Sequence, residues 1–457
     1  MITQTAVDVP ALLDQQKVGW FQLRLLGLCA LVVMLDGFDI QSIGYVAPAV
    51  ARDLHLSYAQ ISPVFASGLL GLTIGALICG PLADWFGRRI MIIVGTLFFA
   101  VFTLATAMAG SVNSMILLRF VSGLGLGGVL PNAIALTSEF CPRRRHGTMV
   151  MVMNSGFPLG SALGGFAAAP IIPHYGWRSV FILGGILPLI LVPLLIFLLP
   201  ESIRYLVLTG NKSSRIAALL ARMNPRLSFS SETSFVIHEQ RAPGVPFVHL
   251  FREGRALPSV LLWIVFFVSL LDLFLMTNWL PTVFHDSGVT LTLSVIATAL
   301  FSGGGVIGAW ALGRIIDRFG PYRVLSVTYF LGAVFIALLG PTHAIGAIMI
   351  CTFFAGVGII GGQIGANLLA ASFYPTFIRS TGVGWALGIG RIGSIVGPVF
   401  GGIMLSRHWP LTTVFLASAI PVVFGSAAVF AMGRTQIVAA AERRKETPPQ
   451  VSEQPGS

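Results

Sequence analysis

The sequence predicts an all-α membrane protein, with twelve transmembrane helices set out as two six-helix repeats. Three observations lead there. Of 457 residues, 55% are hydrophobic and only 10% charged, against about 25% charged in ordinary soluble domains, which excludes a soluble enzyme of common type. Apolar runs of about 20 residues, each long enough to cross a hydrocarbon core roughly 30 Å thick, recur from Leu23 to Met432 between short polar loops. Landmark residues also return at one constant offset, the mark of an internal duplication.

The elements follow in order. Residues 1–22 form a cytoplasmic N-terminal segment with Asp8, Asp14 and Lys17. It lacks a short apolar region with a small-residue cleavage site, so the first helix is expected to be its own insertion signal. Spans at about 23–50, 62–82, 90–109, 115–138, 148–172 and 179–199 make an N-terminal bundle over 23–199. A cytoplasmic linker covers 200–258. A C-terminal bundle over 259–432 holds spans at about 259–284, 292–313, 323–340, 345–370, 379–404 and 411–432. The tail, 433–457, with Arg443, Arg444 and Lys445 ahead of TPPQVSEQPGS, reads as disordered.

The net charge of +11 comes from 28 Lys and Arg, of which Arg52, Arg178 and Arg407 fall in loops of one side and Arg119 and Arg391 inside spans. All the others lie on the opposite side, which the positive-inside rule makes cytoplasmic together with both termini and the linker. The charge therefore orients the chain in a lipid bilayer and does not indicate nucleic acid. Cys29, Cys79 and Cys351 sit in apolar runs and Cys141 in a loop, without CxxC spacing, so neither a disulfide nor a metal site is expected.

Asp39 and Asp272, Pro48 and Pro281, Gly80 and Gly313, Asp84 and Asp317, Gly87 and Gly320 are each 233 apart. Gly123 and Gly356, Gly128 and Gly361, Phe140 and Phe373, Pro142 and Pro375 keep the same offset without a gap. Parallel repeats of six helices with a site near the midplane, where the halves meet, are an architecture of secondary transporters.

Ionisable side chains at the bilayer centre are costly and so are functional candidates. Asp36 and Asp39 lie midway along the first span, Asp272 midway along the seventh and Arg391 midway along the eleventh, with Arg119 about one turn inside the outer end of the fourth. Asp36 and Asp39 share one helix face, and neighbouring carboxylates in a poorly solvated cavity resist being ionised together, so one can hold a proton. The competing reading is a structural ion pair. Arg391, in GIGRIGSIVGP, has small neighbours that leave its guanidinium room to reach a cavity and grip a carboxylate through two parallel hydrogen bonds. It could instead be paired permanently with Asp272 or a first-helix aspartate. Arg119 is near enough to the surface to snorkel.

Asn132, Gln363 and Asn367 either hold helices together or bind substrate hydroxyls. Phe38 and Trp385 can stack on an aromatic ring, or are plain core or lipid-facing residues. The eight histidines fall in loops or near span ends and offer no strong proton relay. At the cytoplasmic ends, GPLADWFGRRI (Gly80, Asp84, Gly87, Arg88, Arg89) and GRIIDRFGPYRV (Asp317, Arg318) repeat one spacing of glycine and acid. With Glu139 they can form exchangeable ion pairs that lock the two halves.

The loop signatures resemble those of the major facilitator superfamily, and LPESIRYL at the end of the sixth span is similar to a segment of its sugar-porter and organic-ion members. More narrowly, DGFD at Asp36 to Asp39, GLGLGGVLPNAIALTSEFCP at Gly123 to Pro142 and FYPTFIRSTGVGWALGIGRIGSIVGP at Phe373 to Pro398 resemble the aromatic acid:proton symporters of bacteria. The resemblance implies a major facilitator fold, a monomer in the bacterial inner membrane, no cofactor beyond the proton as coupling ion, and import of acids such as 4-hydroxybenzoate, protocatechuate, vanillate or benzoate. It also implies that Asp36, Asp39, Arg119 and Arg391 matter. Trp85 stands where the superfamily signature is often basic, and Asp272 is foreign to the family's seventh helix. Asp272 is an extra proton site, a sign of an altered substrate, or only the preserved partner of Asp39.

The expected cycle binds an aromatic carboxylate at Arg391, helped by Arg119, protonates Asp36 or Asp39, and rocks the halves around the site. The alternatives are another organic anion, or the same fold run as a proton-driven efflux pump, although Arg391 disfavours cationic drugs. A sensor lacks an output domain, and no nucleophile, metal cluster or phosphate-cradling loop suggests an enzyme.

Overall fold

The computed structural model describes residues 6–16, 18–209, 213–224, 229, 233–236, 247–252, 254–375 and 378–446. Twelve long helices account for most of them, here numbered α1 to α12. The first six are α1 (Trp20–Asp53), α2 (Tyr58–Phe86), α3 (Arg88–Thr106), α4 (Val112–Phe140), α5 (Gly156–Tyr175) and α6 (Arg178–Leu198). The second six are α7 (Ala256–Asp286), α8 (Leu291–Phe319), α9 (Pro321–Leu339), α10 (Ile345–Phe373), α11 (Arg379–Ser406) and α12 (Leu411–Glu446). Eleven are long and apolar enough to cross a membrane, and twelve once α1, which follows the short helix Val9–Gln15, is counted.

Apolar residues line all faces of these helices because lipid covers what the bundle does not. Leu77, Phe197, Ile190 and Phe424 are exposed, which in water would be an aggregation surface and in hydrocarbon is a solvated one. Since lipid gives helices no hydrophobic reason to associate, close packing must hold them. Gly160 of α5 shows how: a Cβ there would collide with the Met34 backbone of α1. The connections are equally tight. Gly87 between α2 and α3 has φ 95°, and its repeat mate Gly320 between α8 and α9 has φ 82°, a left-handed backbone that only glycine adopts freely. The last glycine of each signature is thus what lets one helix reverse directly into the next.

Three features depart from the reading of the sequence. The tail expected to be disordered from 433 continues α12 as helix to Glu446. Its Ala439–Glu446 stretch is made of alanine, glutamate, arginine and lysine, all strong helix formers, and the membrane span above it supplies the nucleus. Residues 447–457 lie outside the described residues. Within the linker, helices Ile203–Leu208 and Ser213–Met223 pack beneath the N-terminal bundle, and strand Ser234–Val236 pairs in parallel with Ala6–Asp8. Lastly, α10 holds a π-helical turn at Val357–Gly361, whereas the equivalent stretch of α4 is regular α-helix; such turns are common at functional sites.

Gly160→Val should cost about 1–3 kcal/mol by overpacking, read as a lower thermal unfolding midpoint in detergent. Gly27→Ala, where an added Cβ meets nothing within 4 Å, should leave the midpoint in place. Equal tolerance of both would contradict the α1–α5 contact.

Candidate functional site

The end bearing the termini and linker is called inner here, and the opposite end outer. The two aspartates midway along α1, Asp36 and Asp39, have different surroundings although three residues apart. Asp39 is fully buried, and its Oδ1 takes a hydrogen bond from Thr103 of α3 at 2.6 Å and an ion pair from Arg119 Nη1 at 3.1 Å. Arg119 Nη2 also donates to the Asp39 carbonyl at 3.0 Å, and its guanidinium lies 5.8 Å from the Phe181 ring of α6. Asp39 therefore ties α1 to α3 and α4 inside one bundle, and Arg119, only 3% exposed, does not snorkel.

Asp36 is buried without such an arrangement. Its Oδ1 has no hydrogen-bond partner, and it lies within electrostatic reach of Asp39 and of Arg391, which comes from the other half. Arg391 is partly buried on α11 and forms no ion pair among the described residues. Gly390 and Gly393, either side of it, let α11 close against Phe266 and Phe267 of α7. An acid of one repeat and a base of the other thus lie within electrostatic reach of each other, without an ion pair, midway along their helices. This is an arrangement that can accept a ligand carrying the complementary groups.

Asp272 is not part of it. It is fully buried with neither carboxylate oxygen bonded. At the offset of 233, Arg119 corresponds to Thr352 and Thr103 to Ile336, so the second repeat has the acid without the equivalent cation or donor. The Thr352 hydroxyl is likewise buried and unpartnered.

The uncharged candidates separate in the same way. Gln363 and Asn367 sit together on α10, Gln363 Nε2 being 3.5 Å from Asn367 Oδ1, while the Gln363 Oε1 is buried with no partner. Asn132 donates back to the Gly128 carbonyl of its own helix at 2.7 Å. Phe38 packs against Gly164 and Gly184 within the N-terminal bundle. Trp385 is 44% exposed and packs on Trp263 and Phe247, with centroids 6.0 and 4.7 Å away. Both rings are fixed by packing that span positions alone do not show.

Of the inner charge cluster, Arg88 pairs with Glu139, and the Arg89 backbone N–H donates to Glu201 at 3.1 Å, both within the N-terminal half. Asp84 and Asp317 are exposed and have no partner among the described residues; the Arg318 guanidinium lies 5.4 Å from the Phe319 ring. Gly80 is open, with nothing near an added Cβ.

Bonds from the middle to the outer end join the halves. The Gln41 amide donates to the Thr277 carbonyl, Ser161 and Ser302 hydroxyls lie 2.9 Å apart, and Ser62 donates to the Pro398 carbonyl at 3.1 Å. At the outer rim Arg52 meets His285 and the Tyr58 hydroxyl donates to Asp286. Sequence reasoning passed over this clasp, yet a signal existed: Arg52 and His285 are themselves 233 apart. Residues equivalent under the duplication can touch only on the pseudo-two-fold axis, so α1 and α7 cross there. The state seen is clasped at its outer end.

Two six-helix bundles meeting on such an axis, with unlike buried charges within electrostatic reach from the two halves, are the build of a membrane transporter rather than an enzyme. The chain matches the model of the Major Facilitator Superfamily over residues 29–387 and 297–455, and it belongs to that family. It is 39% identical to the 4-hydroxybenzoate transporter PcaK of Pseudomonas aeruginosa, covering 93% of this chain and 96% of that one. It is 38% identical to the gallate transporter of Pseudomonas putida over 94% and 96% of the two chains. Identity to the benzoate transport protein of Acinetobacter baylyi is 32% over 93% and 92%. A solved bacterial homolog of the human lysosomal transporter Spinster superposes with a TM-score of 0.73 at 15% identity, covering 92% of this chain and 98% of that one, which shows the shared fold.

Breaking a buried ion pair from one side leaves an uncompensated charge, a loss of about 3–5 kcal/mol. Asp39→Asn should therefore lower the unfolding midpoint strongly, whereas Asp272→Asn, at the repeat-equivalent position without a cation, should not lower it. Thermal unfolding in detergent compares them directly. Equal destabilisation would mean that Asp272 has a charged partner of its own.

Proposed function

We propose that this chain imports a small aromatic carboxylate together with a proton, by alternating access between two six-helix halves. The observation that carries the reading is the unbonded pair of Asp36 and Arg391, one from each half. The relatives' names supply the substrate class, hydroxybenzoate- or benzoate-like.

In the proposed cycle the outer clasp opens and the anion binds the Arg391 guanidinium through two parallel hydrogen bonds, a geometry that a planar fork favours. With the cation occupied, it no longer offsets Asp36, and a proton from outside neutralises that carboxylate. Asp39 stays with Arg119 and serves as the fixed strut that positions Asp36. The unfilled Gln363 Oε1, with Asn367 beside it, offers a site for a ring hydroxyl. Closing Arg52 on His285 and Tyr58 on Asp286 then seals the outer end, while Asp84, Asp317 and Arg318 come free at the inner end. A monoanion entering alone works against an inside-negative potential by about 2.3 kcal/mol per 100 mV; one accompanying proton cancels that charge and leaves the pH gradient as the drive.

The positive-inside distribution supports cytoplasmic termini in a bacterial inner membrane. A single chain completes both halves of the site, which supports a monomer, with the proton as coupling ion and no other cofactor.

The test is uptake of labelled aromatic acids into proteoliposomes under an imposed pH gradient. The native chain should show saturable uptake driven by acid outside. Arg391→Ala should lower it by about tenfold or more, the effect of losing a charge-assisted bond. Asp36→Asn should abolish the gradient's effect while retaining exchange of substrate for substrate. Export in place of import, or no response of folded protein to any aromatic acid, would overturn the proposal in favour of efflux or another organic anion.

A further inference from the structure

A crevice of about 510 Å³ opens at the inner end of the N-terminal bundle, away from Asp36 and Arg391. It lies between the inner ends of α1, α2, α3 and α6 and the surface helix Ser213–Met223. Four arginines line it, Arg24, Arg89, Arg215 and Arg222, against one acid, Glu201. That acid is already engaged: its Oε1 accepts the backbone N–H groups of Arg89 at 3.1 Å and Ser202 at 2.9 Å. The crevice therefore carries an excess of positive charge.

Among the described residues none of these four arginines is ion-paired to an acid. Arg89 gives one Nη to the Ile196 carbonyl and keeps a buried Nε with no partner. Arg24 rests over the Phe21 ring at 5.6 Å. Arg215 and Arg222 are exposed and, seven residues apart, project two turns from one another along the same side of their helix. That helix is held in place by Ile216 and Leu220, which are buried against the bundle.

The wall facing outward is apolar. Phe86 is 53% exposed, Ile90 45% and Phe197 83%, and they continue into the lipid-facing surface of α2, α3 and α6. A soluble anion has no use for such a wall. A molecule with a phosphate at one end and hydrocarbon at the other matches both, because basic pockets at the membrane boundary suit anionic head groups.

We propose that this crevice binds an anionic phospholipid, its phosphate held by the arginines and an acyl chain lying against Phe86, Ile90 and Phe197. The lipid also touches the turn from α2 to α3, whose Trp85 carbonyl accepts the Tyr205 hydroxyl at 3.2 Å, and so braces the segment that carries Asp84 and Arg88.

The experiment is native mass spectrometry of the full chain after delipidation, titrated with phosphatidylglycerol, phosphatidylethanolamine or inorganic phosphate. Arg215→Gln/Arg222→Gln is compared with Arg314→Gln/Arg323→Gln, which removes equal charge from exposed inner positions of the other half. Phosphatidylglycerol should bind the native protein and the second variant alike, and bind the first about tenfold more weakly or worse. Equal weakening in both variants would show diffuse charge attraction and overturn the site. So would phosphatidylethanolamine binding as tightly as phosphatidylglycerol, or inorganic phosphate displacing the lipid at similar concentration, which would mark an anion site without a lipid.

Discussion

Asp39 and Arg119 are both buried in the N-terminal bundle, and neither charge could be placed there without the other. Their contact does more than cancel charge. Through Asp39 Oδ1 and its own carbonyl, α1 is tied to α3 and α4 in one register. That register decides where Asp36, one helical turn back, must point. Because Arg119 is consumed by Asp39, the other midspan acid of α1, Asp36, has Arg391 of the other half as its nearby counter-charge among the described residues. A charge shared between halves that move is sensitive to motion, and one locked within a half is not. The two carboxylates that look alike in DGFD thus do different work.

The second repeat shows what happens when such a pair is not maintained. Asp272 retains the acid of Asp39, but threonine and isoleucine stand where arginine and threonine would be. Nothing there compensates the hydration that a charged carboxylate gives up on burial. The second half has what the first lacks: a π-helical turn in α10 just ahead of Gln363, and the arginine of α11. The two halves differ in their buried charges, with the ion pair of Asp39 and Arg119 in one and Arg391 in the other.

Much of this was legible in the residues. Hydropathy gave the spans because backbone satisfaction in lipid leaves the helix as the only option for an apolar run of that length. The offset of 233 gave the duplication, and the rarity of charge inside spans gave Asp36, Asp39, Arg119, Asp272 and Arg391. What the sequence could not show was who meets whom. Spacing puts Asp36 and Asp39 on one face without saying that only Asp39 reaches Arg119. Aromatic residues gave little guidance: Phe38 and Trp385 occupy spans as dozens of core residues do, and span position alone does not say which rings line a cavity. The outer clasp was hidden by its ordinary composition, although its Arg52 and His285 obey the repeat offset, and residues that obey it can touch only on the axis.

The central claim is that Asp36, not Asp39, takes the proton that accompanies substrate. Proton uptake on adding an aromatic acid to the purified protein in weakly buffered solution measures this directly, with a pH-sensitive dye as the readout. The native chain should take up a proton on binding, Asp36→Asn should bind without uptake, and Asp39→Asn, in whatever fraction remains folded, should still take it up. Loss of uptake in Asp39→Asn with full uptake in Asp36→Asn would contradict the division of roles described here.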